Sequence, residues 1–475
     1  MKPNIVLIMS DQHNILDYAD TPNLDRLYSN GMCFRDAYCS SPLCVPSRAG
    51  FLTGQLPSGT GVWNNTQCLS SDQKTFVHNL AGNGYGTVLV GRMHFNLNDQ
   101  LHGYEKHLVG EITPTFPRPA RQKEVYGVLA GSPDQSYVSI VKSGAGHSAV
   151  HDYDREVADT ACSYIREKQD ERPLFMTVGF YGPHCPFVAE KGLYDKYYER
   201  FCNIRAFSGY DLLNPEMRRF IDLRGIKALT DEERRRTTAA YYANIEYMDS
   251  LIGDVLSAVE ERLGLDDTII IYTSDHGESL GCHGLYWKSN FYRESVNIPL
   301  VFSWKDHIRR ADVSGPVSLL DIAPTLLSIT GSEPLSYCDG INLSPVLLEG
   351  AEPDPDRIVI SMLADLKGDY PSAMIRRGSY KLIKFCNDEN PILFDFGSDA
   401  AEDKDFGKDP NYKEIRSILL DQLHKYWDEE SAMDQLEKAK AESIELKRWI
   451  QSSKPQICGE WDARGVENYI LEDHE

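Results

Sequence analysis

Three short stretches of this sequence set acidic, nucleophilic and cationic side chains where a strand ends or a helix begins. The first, Ser40 to Gly54, reads SSPLCVPSRAGFLTG and has Cys44 at its centre, followed by Pro46, Ser47 and Arg48. Proline suits a first helical turn, because its fixed φ and missing N–H cost nothing there, so Cys44 falls at a helix N-terminus. The free N–H groups and positive dipole end attract an anion, and Arg48 one turn on adds a permanent cation. A side chain that can become a nucleophile thus sits in an anion site. The same five residues also suit a buried cysteine before a helix with Arg48 on the surface, and the rest of the chain must separate the two readings.

The other two stretches are strand ends. Asn4 to Ser10, NIVLIMS, is a continuous apolar run, as expected of a strand buried on both faces of a parallel sheet, and it stops at Asp11-Gln12-His13. Thr268 to Ser274, TIIIYTS, is a second such run and stops at Asp275-His276-Gly277. Ligands of open α/β sheets gather outside the carboxyl ends of strands, so both carboxylates can share one crevice. With Gln12 and His276 they form an oxygen-rich, partly imidazole set suited to a hard divalent cation: calcium, or magnesium or manganese. The alternative use of Asp11 and Asp275 is as helix N-caps.

Strands and helices alternate from Met1 to about Gly110, an α/β pattern with a largely parallel sheet. Residues 112–150 break into prolines, glycines and serines, which is long for a connector and reads as an insertion on the substrate side. Helices are expected over Asp152 to Lys168 and Thr230 to Leu263, the latter capped at Thr230-Asp231-Glu232-Glu233, and Tyr194 to Arg224 reads as irregular. Past about Gly350 short strands of an antiparallel sheet follow, then a helical stretch from Tyr412 to Gln451 with Ile415, Leu419, Leu423 and Trp427 near helical spacing. The expected architecture is an α/β domain at 1–350, its mostly parallel sheet flanked by helices, and a smaller α+β subdomain at 351–475.

Composition narrows the partners. The 475 residues carry a net charge of -22, which disfavours nucleic acid and anionic membranes, so any anionic substrate must be captured by a local basic pocket such as Arg48, Arg92 and Lys288. The 11 cysteines are odd in number and irregularly spaced, as in a chain of reduced thiols. No run is long enough for a signal segment or a membrane span, so the sequence as given reads as cytoplasmic, or as periplasmic or secreted if a signal was removed.

These residues resemble the formylglycine-dependent sulfatases of the alkaline phosphatase superfamily. Their signature stands here as Cys44-Val45-Pro46-Ser47-Arg48 with Leu52-Thr53-Gly54. Further matches are Thr21-Pro22-Asn23-Leu24-Asp25-Arg26-Leu27, Gly91-Arg92-Met93-His94, Pro183-His184, Asp275-His276-Gly277, Lys288 and Asp321-Ile322-Ala323-Pro324-Thr325. The resemblance implies that a sulfatase-maturating enzyme oxidises Cys44 to formylglycine, whose hydrate is the nucleophile. One diol oxygen attacks the sulfate sulfur, and collapse of the sulfated diol expels sulfate. It also implies Asp11, Gln12, Asp275, His276 and the modified Cys44 as metal ligands, Arg48 steadying the diol, and His94 drawing its second proton. His184 and Lys288 become candidates for protonating the leaving alcohol, and Asn65 looks like a contact to the transferred group. His13, His78, His102 and His107 are expected to have only structural roles.

Two departures bear on substrate. Asp11-Gln12 replaces the more usual Asp-Asp, as in the branch holding choline sulfatases and phosphonate monoester hydrolases, and Arg92 stands where lysine is common; arginine can bind an oxyanion but cannot be an acid. Gly91 to Phe95, Asp99 to Glu105 and Arg376 to Lys381 are most similar to choline sulfatases. Yet a quaternary ammonium calls for an aromatic cage, and residues 112–150 hold no Trp and only Phe116, Tyr126 and Tyr137 as aromatics. The expected substrate is therefore a sulfated carbohydrate or other small alkyl sulfate. Choline sulfate, a phosphonate monoester or phosphodiester, and non-catalytic binding of a sulfated ligand are the alternatives. The C-terminal helix is expected to pack on its own subdomain or to join subunits of a homo-oligomer.

Overall fold

The computed structural model describes residues 2–471 apart from 17, 114–115, 118–120, 205–206, 365–369, 387 and 456–457. Its central feature is an eight-stranded sheet. In chain order the strands are β1 (Asn4–Asp11), β2 (Met32–Phe34), β3 (Gly86–Gly91), β4 (Lys106–Leu108), β5 (Leu174–Pro183), β6 (Thr268–Ser274), β7 (Leu300–Ser303) and β8 (Ala311–Val313). Their order across the sheet is β8-β2-β7-β6-β1-β5-β3-β4. β6, β1, β5, β3 and β4 are mutually parallel, and β7 runs antiparallel to both its neighbours.

The two continuous apolar runs form the centre of this sheet. β6 is buried along its whole length and β1 from Ile5 onward, because helices cover both faces and leave no solvent side to call for alternation. One face packs under α1 (Cys44–Thr53) and the other under α2 (Ala149–Arg166) and α3 (Asp231–Arg262). The Thr230 hydroxyl accepts from Glu233 N while the Glu233 carboxylate accepts from Thr230 N, the reciprocal cap that the sequence led one to expect.

A separate four-stranded antiparallel sheet follows, β9 (Val359–Ala364), β10 (Pro371–Arg377), β11 (Tyr380–Phe385) and β12 (Ile392–Asp395), with α4 (Lys413–Leu423) and α5 (Glu429–Ser453) against it. The helical stretch from Tyr412 is thus two helices. The chain turns at Trp427, which is buried, and Asp428 caps the second helix by accepting from Ser431 N. Tyr194 to Arg224, expected to be irregular, instead contains helices at Lys191–Arg200 and Pro215–Arg224. Asn214 caps the second, with Pro215 at its first position, a start signal that the dense charged and aromatic residues concealed.

Residues 459–471 leave the antiparallel sheet and return to the large domain. Tyr469–Ile470 pairs antiparallel with Gly144–His147, and Trp461 is buried with its ring edge on Tyr153 and its indole N–H donating to Glu156. Among the described residues no helix is long and apolar enough to cross a membrane.

Candidate active site

β3, β5, β1 and β6 end at one edge, and their register decides which residues meet there. Ser10 lies beside Ser274, and Asp11 beside Pro183 across an irregularity after Met9. Asp11-Gln12, Asp275-His276 and His184 therefore emerge from adjacent strands. On the far side of β5, Gly91 pairs with Gly179 and leads into Arg92. Neither glycine can carry a side chain: Gly91 has φ 84°, and a Cβ on Gly179 would collide with the Arg92 carbonyl.

Every residue of α1 is buried, and Cys44 occupies its first turn. Cys44 Sγ lies 3.2 Å from His276 Nε2 and 3.8 Å from Asp11 Oδ1. Asp11, Cys44, Asp275 and His276 each turn a ligand atom inward, all within 4.8 Å of one another. Arg48 closes the back: its Nε donates to Asp275 Oδ2 (2.9 Å) and its NH2 to Asp11 Oδ2 (3.2 Å). That leaves Oδ1 of each carboxylate toward the centre.

This donor set fits a divalent cation. His276 Nδ1 donates to the Gly277 carbonyl at 3.0 Å, which leaves the Nε2 lone pair facing the cluster as a metal ligand requires. Burial alone would lower the His276 pKa, but Asp275 and Cys44 raise it above its usual value, a sign that the position favours positive charge. Burial would likewise raise Asp11, yet the Arg92, Arg48 and Lys288 cations together hold it well below the carboxylate range. For Cys44, burial and Asp11 push the thiol up, Lys288 and His276 pull it down, and the balance falls below its ordinary value.

Gln12, with φ 70°, is gripped from both sides. Its Oε1 accepts from Lys288 Nζ at 2.5 Å and its Nε2 donates to the buried Glu278 carboxylate. An aspartate here would face Glu278 with like charge, which gives the departure from Asp-Asp a physical reason. Glu278 also receives the N–H groups of Leu280 and Trp287 and so ties together the loop that presents Lys288.

Lys288 Nζ also donates to His184 Nε2 at 2.6 Å, while His184 Nδ1 donates to the Cys185 carbonyl at 2.8 Å. In that arrangement the imidazole is neutral and accepts at Nε2, in keeping with burial and then Lys288 depressing its pKa well below 6.5. Arg92 has three distinct partners: Nε donates to Asp11 Oδ2 (2.5 Å), NH1 to Thr113, and NH2 to His94 Nδ1 (2.8 Å). Since a guanidinium only donates, the His94 ring proton resides on Nε2. Burial, then Arg92, depresses the His94 pKa well below 6.5. Asn65 accepts at Oδ1 from Val45 N and so holds the first turn of α1.

The remaining histidines serve the framework. His13 contacts the Tyr272 hydroxyl, His78 completes a cap with Thr75, His102 lies 3.5 Å from Asp99, and His107 donates to the Gly91 carbonyl. Of the buried carboxylates that escaped the sequence reading, Glu278 and Glu111 bear most directly on this site. Glu278 had a signal, being the third residue after Asp275 at the same strand end; Glu111, at the edge of the insertion, had none.

A family model described as Sulfatase matches residues 3–332, and one described as N-sulphoglucosamine sulphohydrolase, C-terminal, matches residues 281–429. The chain belongs to the sulfatase family. This sulfatase is a sulfuric ester hydrolase by its relatives. It is 33% identical over 485 aligned residues to choline-sulfatase of Rhizobium meliloti, covering 94% of this chain and 90% of that one. To N-acetylglucosamine-6-O-sulfatase of Bacteroides thetaiotaomicron it is 26% identical, covering 90% and 87%. Its fold matches that of the phosphonate monoester hydrolase of Agrobacterium radiobacter with a TM-score of 0.73 at 22% identity, covering 90% of this chain and 95% of that one.

Proposed function

We propose that this sulfatase hydrolyses a sulfate ester at residue 44 after a maturating enzyme has converted Cys44 to formylglycine. The observation that carries the reading is the convergence of Asp11, Cys44, Asp275 and His276 within 4.8 Å, with Arg48 bridging the two carboxylates. Asp11, Asp275 and His276, with Gln12 beside them, would hold a divalent cation, calcium before magnesium or manganese because the donors are mainly oxygen. The cation would supply Lewis-acid charge for the sulfate oxygens, and a hydrated formylglycine the attacking hydroxyl.

The chain's own residues do the rest. Arg48 fixes the orientation of both carboxylates and adds positive charge beside the first turn of α1. Lys288 is the proton donor to the leaving oxygen: it carries the proton in the Lys288–His184 pair, and His184 with its Nε2 lone pair steers the ammonium and can receive a proton in return. Arg92 binds an oxyanion and orients His94. For His94 to draw a proton from residue 44 it needs a free ring lone pair, and the one on Nδ1 is taken by Arg92, so Arg92 must release that atom.

The substrate class we favour is a sulfated carbohydrate or another small alkyl sulfate. Phe116 lies against Lys447, Tyr126 is buried beside Tyr181, and the Tyr137 hydroxyl donates to Glu233, so these three rings are dispersed and form no cage for a quaternary ammonium. Phosphonate monoester hydrolysis is the second reading, favoured by Gln12 beside the metal cluster. The mass of the Cys44 peptide, from protein made with a maturating enzyme, tests the nucleophile: formylglycine is expected, and unmodified cysteine in active protein overturns it. Rates on 4-nitrophenyl sulfate against 4-nitrophenyl phenylphosphonate then separate the two readings.

A further inference from the structure

Glu111 is wholly buried, yet it lies outside the metal cluster and outside every motif in the sequence. Its Oε1 accepts from two backbone N–H groups, Met93 at 2.8 Å and Phe95 at 3.3 Å, the residues on either side of His94. His94 itself has φ 56°, a left-handed conformation uncommon outside glycine. Amide groups flanking such a residue converge into a concave nest that takes an anion, and here the anion is a side chain of the same protein. Among the described residues Oε2 has no hydrogen-bond partner, and it lies 3.7 Å from Arg92 NH1, the guanidinium that also holds His94 Nδ1.

The backbone of Glu111 is held from the other side by the returning C-terminal segment. Glu111 N donates to the Gly459 carbonyl at 2.6 Å, and Trp461 N donates to the Glu111 carbonyl at 2.9 Å. Arg121 ties the same segment down through Glu460 and the Trp461 carbonyl.

We propose that Glu111 is a positioning residue for His94: its Oε1 locks the Met93–Phe95 turn, and residues 459–461 lock Glu111. The proposal rests on His94 serving the reaction as set out under Proposed function. No bond is made or broken at Glu111. Its effect is to keep the imidazole in one place relative to residue 44.

The test uses the full-length, matured protein and 4-nitrophenyl sulfate. Glu111→Asp keeps the charge but withdraws the acceptor by one methylene, and kcat is expected to fall about tenfold to a hundredfold with KM little changed. Glu111→Gln keeps the length and one carbonyl acceptor, and should recover most of kcat. In the His94→Ala background Glu111→Asp should cost nothing further. Equal activity of Glu111→Asp and wild type, or losses that multiply in the double variant, would overturn the proposal. A full kcat in His94→Ala would instead defeat the role given to His94. Hydrogen exchange on the wild-type protein decides about the turn even if a variant does not fold: the Met93 and Phe95 amides should exchange as slowly as those of β3, and exchange at the rate of an exposed loop would refute the lock.

Discussion

Glu294 follows Lys288 in the short helix Arg293–Val296 that leads to β7 and is only 5% exposed. Burial, followed by the neighbouring Glu402, raises its pKa to about 7, against the opposing pull of its own backbone N–H, Arg293 and Lys381. Among the described residues its Oε2 has no hydrogen-bond partner, and Arg293 Nε, at 3.9 Å from Oε1, is too far to donate a hydrogen bond that would offset the burial. The folded state thus holds a proton that the unfolded chain gives up near pH 4.5. The contribution to stability is fully present below pH 4.5 and is lost as pH rises through about 7. At 1.36 kcal/mol per unit, the interval between these values corresponds to about 3 kcal/mol. Glu294→Gln removes the titration at nearly constant volume. Unfolding midpoints of wild type and Glu294→Gln, measured from pH 4 to 8, should therefore diverge with rising pH, the variant becoming relatively more stable by about that amount. Parallel curves would refute the reasoning.

Three further outcomes concern the site and the buried Asp321–Arg357 ion pair. Lys288→Met should lower kcat by about a hundredfold or more on an alkyl sulfate and far less on 4-nitrophenyl sulfate, whose leaving group needs no proton; equal losses on both would remove Lys288 as the acid. Dialysis against a chelator should abolish turnover and lower the melting temperature, and calcium should restore both, since a cation at a hundred times its Kd adds about 2.7 kcal/mol. Asp321 is fully buried and receives Arg357 through both terminal nitrogens, together with the N–H groups of Ser318 and Ile341. Arg357→Met should destabilise the protein by about 3 kcal/mol in thermal or denaturant unfolding.

The strand ends were legible because burial on both faces writes an unbroken apolar run, and a polar residue can interrupt it only where the strand leaves the sheet. Asp11 and Asp275 announced themselves in that way, and Cys44 did so through the proline that marks a helix start. Lys288 and His184 stood in matching motifs, but nothing local showed that one donates to the other; that contact depends on β6 and β5 both flanking β1. Glu111 could not be read at all, since its partners are two backbone N–H groups and a segment far along the chain, none of which leaves a trace in side-chain pattern. Residues 459–471 were grouped with the antiparallel subdomain by proximity in sequence, whereas their hydrogen bonds go to Glu111, Ala145, Ala149 and Val125. The two helices between Lys191 and Arg224 were hidden for another reason: their partly exposed, charged and aromatic faces carry no clean apolar stripe.

The burial of α1 also sets an order of events in time. Cys44 has 1% of its surface exposed and opens a helix with no solvent face, so no second protein can close around its Cβ once the sheet has formed. β6, which supplies Asp275 and His276, is made long after Cys44 has left the ribosome, and the segment that braces Glu111 later still. The oxidation of Cys44 that we propose would therefore belong to the unfinished chain. Slower synthesis between Cys44 and β6 should raise the fraction of oxidised molecules, whereas protein refolded from the unmodified state should be beyond repair.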